Sequence, residues 1–241
     1  MNFNGQKQGV ELFFFLSFFL LSVICVSQEF KTSPCEIKED LNTPFTAYEL
    51  FKLSLNELDN NKVCEAANSL ATVILITPDV DKAFLQSDLF CNARFDIAEK
   101  LFSNKSYATA LIFYNGYVNY CYDELKTPKA YFNLADAFFG MKKSPDFDPH
   151  YTEMAITNFL FFIRNFPHDA YIPEAKKKFK LCYDGLAMYE FNIGLYYFNN
   201  KQYKAALERF KFLCIKFPNS SSMPEAMHLI SKCHDKLQIE N

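Results

Sequence analysis

The stretch Met188–Ser220, MYEFNIGLYYFNNKQYKAALERFKFLCIKFPNS, decides the fold. It reads as two helices joined by a short turn. Gly194 stands where the first helix needs a small residue, with Tyr197 three positions on. Ala206 follows twelve residues after Gly194, where the second helix must approach the first closely; Phe210 and Leu213 lie on the same face at i+4 and i+7. Pro218 ends the second helix, because proline has no N–H with which to continue it. One such hairpin has no cover for its second apolar face, so several must stack to bury a core.

The pattern recurs. A small residue followed four positions later by a bulky one appears at Ala66/Leu70, Ala110/Tyr114, Ala155/Phe159 and Ala206/Phe210. Pro78, Pro167 and Pro218 each lie twelve residues after their alanine; the second copy has Tyr122 there instead. The alanine spacings are 44, 45 and 51 residues, longer than the roughly 34 of a standard tetratricopeptide (TPR) repeat. The expectation is an all-α, TPR-like helix–turn–helix superhelix of four full repeats plus a terminal helix. Helices are predicted over about 46–59, 62–77, 81–103, 107–121, 128–141, 149–165, 172–199, 202–217 and 223–238. The break at 144–149 places Asp148 as an N-cap and Pro149 as the first helical residue. This insertion is assigned the longer third period.

Half of the residues are hydrophobic and 17% are aromatic, which supplies a sizeable core; six glycines and no tryptophan argue against an all-β chain. A net charge of −3 leaves no global electrostatic footprint for nucleic acid. The densest basic run, Lys176-Lys177-Lys178 with Lys180, reads as a solvated helix face. Residues 1–27 read as a signal segment, with Lys7 ahead of an apolar run from Leu12 to Val26 that is too short to span a bilayer comfortably. Leu21-Ser22-Val23-Ile24-Cys25 resembles a bacterial lipobox, in which Cys25 becomes the lipid-modified first residue. Cleavage near Ser27 and an uncleaved anchor are the other outcomes. Residues 28–45 read as a flexible tether, 46–126 as N-terminal repeats and 127–241 as C-terminal repeats with the terminal helix.

Eight cysteines occur without a CxxC, and removing Cys25 leaves an odd seven, which fits neither a disulfide framework nor a zinc ribbon. Cys64, Cys91, Cys121, Cys182, Cys214 and Cys233 fall in helical stretches and read as small hydrophobes. His228 with Cys233-His234 is the only metal-like cluster, and no second ligand pair lies near it. No nucleophile–base pattern, glycine-rich phosphate loop or HExxH occurs, so a non-enzymatic binding module with no cofactor and no metal is expected.

From about Ala47 onward the chain resembles the BamD (ComL-like) family of TPR lipoproteins of the bacterial β-barrel assembly machinery. The residues carrying the resemblance run from Phe138-Phe139-Gly140 through Asp146-x-Asp148-Pro149, Ala155 with Phe159, Phe166-Pro167, Tyr171 and Ala175. They continue with Ala187-x-Tyr189-Glu190, Tyr196-Tyr197, Ala205-Ala206, Arg209 and Phe217-Pro218-x-Ser220. Asn200 stands where the family usually has arginine.

The resemblance implies a lipid anchor at Cys25, a place on the periplasmic face of the outer membrane, and a role in delivering and inserting β-barrel proteins. It implies an Omp85-type barrel subunit as partner, bound through its soluble POTRA region, with Glu190 and Arg209 as docking candidates. It also implies contact with the aromatic-ended C-terminal strands of unfolded outer-membrane clients. Phe51, Phe95 and Phe132, each three positions before the small residue of a first helix, are the groove candidates for that ligand, with Phe191 in the same register. Leu58, Phe102, Phe139 and Phe198 lie seven residues after them on one stripe. The competing reading is that both sets are aromatic core. The alternative function is a generic periplasmic TPR adaptor for cell-wall or pilus assembly.

Overall fold

A computed structural model describes residues 35–37, 45–77, 82–141 and 149–239. These residues form α1 (Ala47–Asp59), α2 (Val63–Ile76), α3 (Lys82–Leu85), α4 (Asp88–Ser103), α5 (Tyr107–Tyr120), α6 (Lys126–Met141), α7 (His150–Asn165), α8 (Ile172–Asn199), α9 (Tyr203–Lys216) and α10 (Met223–Ile239), with no strand among them. The all-α, TPR-like reading therefore holds. Helices adjacent in sequence pack as antiparallel pairs, as short connections require. Among the described residues no helix is long and apolar enough to cross a membrane. The chain divides into two compact units, one ending at Asp123 and the other beginning at Glu124.

The first unit holds the hairpins α1–α2 and α4–α5, with α2 packed on α4. Its first helix starts at a capping box. The Thr46 hydroxyl accepts the Glu49 N–H at 3.3 Å, and the Glu49 carboxylate accepts the Thr46 N–H at 2.8 Å. Small residues bring the helices of each hairpin together: Ser54, Ala66, Ala98 and Ala110 have no exposed surface. Ser54 Oγ uses that proximity to donate to the Ala66 carbonyl at 2.8 Å.

The predicted helix over 81–103 is two helices. Ser87 Oγ donates to the Phe84 carbonyl at 2.7 Å and accepts the Phe90 N–H, so it closes α3 and caps α4. The bend lets the Phe84 ring meet Phe51 and Phe90 at 5.3 and 5.5 Å.

Three hairpin turns share one backbone device. Asn60, Asn104 and Asn200 are the C-caps of α1, α4 and α8. The residues after them, Asn61, Lys105 and Lys201, adopt φ of 58°, 61° and 62°. Each of these donates its N–H to the residue three back, and the next residue donates to the carbonyl five back, as in Ser106 N–H to Leu101 O at 2.9 Å. This is the Schellman arrangement, which satisfies the last carbonyls of the helix.

The second unit packs α6 on α7, α7 on α8, α8 on α9 and α9 on α10. α8 is 28 residues long and serves two neighbourhoods. Its first half contributes Ile172, Ala175 and Cys182 to a core with Phe132, Phe159 and Phe162. Its second half contributes Phe191 to a core with Phe210, Leu213, Ala226 and Cys233. α8 lies between Ala155 and Ala206, so its length sets the third period; the 144–149 break precedes Ala155 and does not. Asp148 and Pro78 lie outside the described residues, while Pro149 precedes α7 and its carbonyl accepts the Glu153 N–H at 2.9 Å.

The basic run is only partly a solvated face. Lys176, Lys177 and Lys180 are exposed. Lys178 instead turns toward α6 and pairs with Asp136 at 2.6 Å, and with Glu174 at 2.8 Å.

Candidate functional site

Helices α8 and α9 carry the residues named for docking. Arg209 on α9 reaches across to Glu190 on α8, Nη1 to Oε2 at 3.3 Å; the Arg209 side chain is 44% exposed and the Glu190 side chain 14%. The two candidates therefore form one ion pair. Elsewhere on α8, Tyr189, Asn192, Ile193, Tyr196 and Tyr197 line a shallow cavity of about 230 Å³. Tyr196 is 66% exposed, with its ring 5.7 Å from that of Tyr197. On α9, Phe212 and Ile215 are also exposed. A half-buried ion pair and exposed aromatics on the same helix pair suit a protein partner: rings supply contact area at low entropic loss, and the charges set orientation.

The aromatic ladder lies in the core. Phe51, Phe95 and Phe132 are 1%, 5% and 3% exposed. Phe51 stacks on Phe90 at 5.4 Å, Phe95 meets Tyr117 at 5.2 Å, and Phe132 stacks on Tyr171 at 4.6 Å. Phe191 repeats the pattern against Phe210 at 5.7 Å. Each of these rings is covered by neighbouring helices and offers almost no surface to a peptide, which favours the core reading over the groove one. In the second rung Leu58 is buried and Phe102, Phe139 and Phe198 are half-buried; Phe102 packs on Tyr107 at 5.4 Å and Phe198 on Tyr203 at 5.6 Å.

The family described as "Outer membrane lipoprotein" (YfiO) matches residues 45–241, the whole helical array. The chain belongs to this family. Among curated relatives, the outer membrane protein assembly factor BamD of Caulobacter vibrioides is 30% identical over 98 residues, 41% of this chain and 32% of that protein. The match thus spans about a third of the relative's length. Cys25, the lipidation candidate of this family member, lies outside the described residues.

Two buried features were missed by reading the sequence. Cys91 on α4 and Cys121 at the end of α5 form a disulfide with their Cα atoms 5.8 Å apart, so these two are not merely small hydrophobes. One turn along α4, Arg94 is 2% exposed, donates to the Gly116 carbonyl at 2.9 Å and lies 4.9 Å over the Phe90 ring. Gly116 is the residue that makes room: a Cβ there would stand 3.3 Å from the guanidinium. Burial lowers the Arg94 pKa to about 10. The lone glycine in the bulky run of α5 was the available signal for a large side chain opposite it.

Around the metal-like cluster, Cys233 is buried in the core whereas His228 and His234 are exposed, so the three do not converge. Among the described residues no group of three or more metal-ligating side chains comes together.

Proposed function

We propose that this chain is a non-enzymatic assembly factor for β-barrel outer-membrane proteins, anchored by lipid on Cys25 at the periplasmic face of the outer membrane. Its α8–α9 face docks the soluble POTRA region of an Omp85-type barrel subunit. The observation that carries the proposal is the family match over the full helical array, residues 45–241; the printed name of the Caulobacter relative adds assembly as the task. The Cys91–Cys121 disulfide supports the address, since such bonds persist in oxidising compartments such as the bacterial periplasm. The ion pair Glu190–Arg209 and the exposed Tyr196, carried by the same helix pair, support the docking face. For client strands, with Phe51, Phe95 and Phe132 buried, the first unit offers exposed rings at Tyr48 and Tyr122.

The test is site-specific photo-crosslinking from position 196 in intact cells, followed by identification of the captured protein. A barrel subunit with soluble N-terminal domains is the expected product. Capture of a cell-wall or pilus complex would replace this reading with the adaptor alternative. Lipidation is tested separately: a Cys25→Ser chain that still sediments with outer membranes like the native chain would remove the anchor.

A further inference from the structure

Residues 35–37 precede the helical array, yet Cys35 is packed into it. It is 2% exposed, and its carbonyl accepts a hydrogen bond from Thr109 Oγ1 on α5 at 2.6 Å. Its thiol is hydrogen-bonded to the thiol of Cys64, which lies in the first turn of α2. Both cysteines carry thiols, while thirty residues apart in the same unit Cys91 and Cys121 are already bridged. Two neighbouring thiols, one of them held in place by its backbone, are the pairing from which a disulfide forms.

We infer that Cys35 and Cys64 form a second, exchangeable disulfide that staples the segment ahead of α1 to the first unit. The oxidant is a disulfide of a thiol oxidoreductase or of a small molecule. Cys64, the less buried of the two, loses its proton and attacks one sulfur of that disulfide, which expels the other sulfur as a thiolate. The Cys35 thiolate then attacks the Cys64 sulfur, expelling the second thiolate. Two cysteines are oxidised to one disulfide and the oxidant is reduced to two thiols, which take up the two protons released. Burial raises the Cys35 pKa well above the ordinary cysteine range, followed by the contribution of the Cys64 hydrogen bond. A thiol in that state is a poor first nucleophile, so the resolving step, in which its target is already in place, is the one that suits it.

The staple locks the point at which the chain leaves the folded repeats. Ten residues separate Cys25 from Cys35 and can reach at most about 35 Å; with Cys35 released from its place the 21 residues to Thr46 reach about 70 Å. This consequence rests on the proposed anchor at Cys25, whereas the disulfide itself does not.

The experiment uses the full chain equilibrated with a glutathione thiol–disulfide buffer, blocked with N-ethylmaleimide, digested without reductant and read by mass spectrometry. The expected product joins the Cys35 and Cys64 peptides with the loss of two hydrogens. Thr109→Val, which frees the Cys35 carbonyl, should lower the equilibrium constant for this bridge about fivefold, corresponding to one lost hydrogen bond, and leave the Cys91–Cys121 bridge unchanged. Maleimide on both Cys35 and Cys64 under conditions where Cys91–Cys121 is bridged would overturn the inference. So would a Cys35 bridge to any other cysteine. A bridge insensitive to Thr109→Val would remove Thr109 as its positioning residue.

Discussion

Arg209 on α9 and Glu190 on α8 hold each other at 3.3 Å across the hairpin that carries the docking candidates. Reversing either charge therefore does two things, breaking the pair and altering the face. An ion pair with this much solvent access contributes at most about 1 kcal/mol to stability. Glu190→Lys and Arg209→Glu should each weaken partner binding measurably in a pull-down from membranes while the urea midpoint moves little. The double exchange Glu190→Arg with Arg209→Glu restores the pair with its polarity reversed. If the double exchange recovers stability but not binding, the face is the docking site; recovery of both would reduce the pair to a helix–helix tie.

Gly194 faces the Phe210 ring so closely that an added Cβ would lie 2.5 Å from Cε1. Helix propensity alone favours Gly194→Ala by about 1 kcal/mol. The clash decides the sign, because Phe210 is fully buried and has nowhere to move. Net destabilisation of about 1–3 kcal/mol is expected in a urea titration. Gly185 on the same helix is the control, with nothing within 4 Å of a built Cβ. There Gly185→Ala should stabilise by about 0.5–1 kcal/mol. Equal effects at the two positions would contradict the packing of α8 on α9. Ala206→Leu, at the same contact, should overpack it by a similar 1–3 kcal/mol.

Lys105 and Lys201 occupy left-handed backbone at φ near 60° with their side chains exposed. A side chain in that region carries a steric penalty that glycine lacks, of about 1–2 kcal/mol. Lys105→Gly should therefore raise thermal stability by about 1 kcal/mol, less the entropy that glycine restores to the unfolded chain. A lower melting temperature in calorimetry would show that the turn does not limit the first unit.

Much of this architecture was legible from two residue types. Alanine at fixed distance from proline located the second helices, since close approach excludes a Cβ branch and proline ends the run. The break at Ser87 was not legible, because Lys82–Leu85 carries ordinary helix formers and the stop is made by a serine side chain bonding to Phe84 and Phe90. The Asn-x turns at 60, 104 and 200 were legible and overlooked; each lies six residues after the small residue of its first helix. The disulfide was hidden by distance, since Cys91 and Cys121 are thirty positions apart and each fits a helical pattern alone. The phenylalanine stripe told which residues share a helix face. It did not tell whether that face is covered, because in a stacked array both sides of a helix are core.

Cys91 and Cys121 close a loop of thirty residues that contains most of α4 and all of α5. On the chain-entropy account such a loop is worth about 3–4 kcal/mol to the folded state. The Cys91→Ser, Cys121→Ser chain should unfold at lower urea by the corresponding shift, with its helicity in water unchanged. The native chain under reductant should match it. A native chain insensitive to reductant, with both sulfurs then found alkylated, would show that the bond contributes nothing to the first unit.

Phe95 decides between core and groove for the ladder as a whole. Its ring lies 5.2 Å from Tyr117 and 6.3 Å from Tyr114, and both tyrosines are themselves buried. Truncation to alanine removes those contacts and leaves a cavity between α4 and α5, at a cost of about 3–5 kcal/mol. Phe95→Ala should accordingly lose stability before it loses affinity for a peptide ending in phenylalanine. Phe95→Leu, which keeps most of the volume, should recover the larger part of the loss. Tyr122→Ala, by contrast, removes a ring that is 79% exposed, so stability should change by less than about 0.5 kcal/mol. If peptide binding fell in Phe95→Ala at unchanged stability, the ring would have to leave the core to meet its ligand, and the buried arrangement would be one state of two.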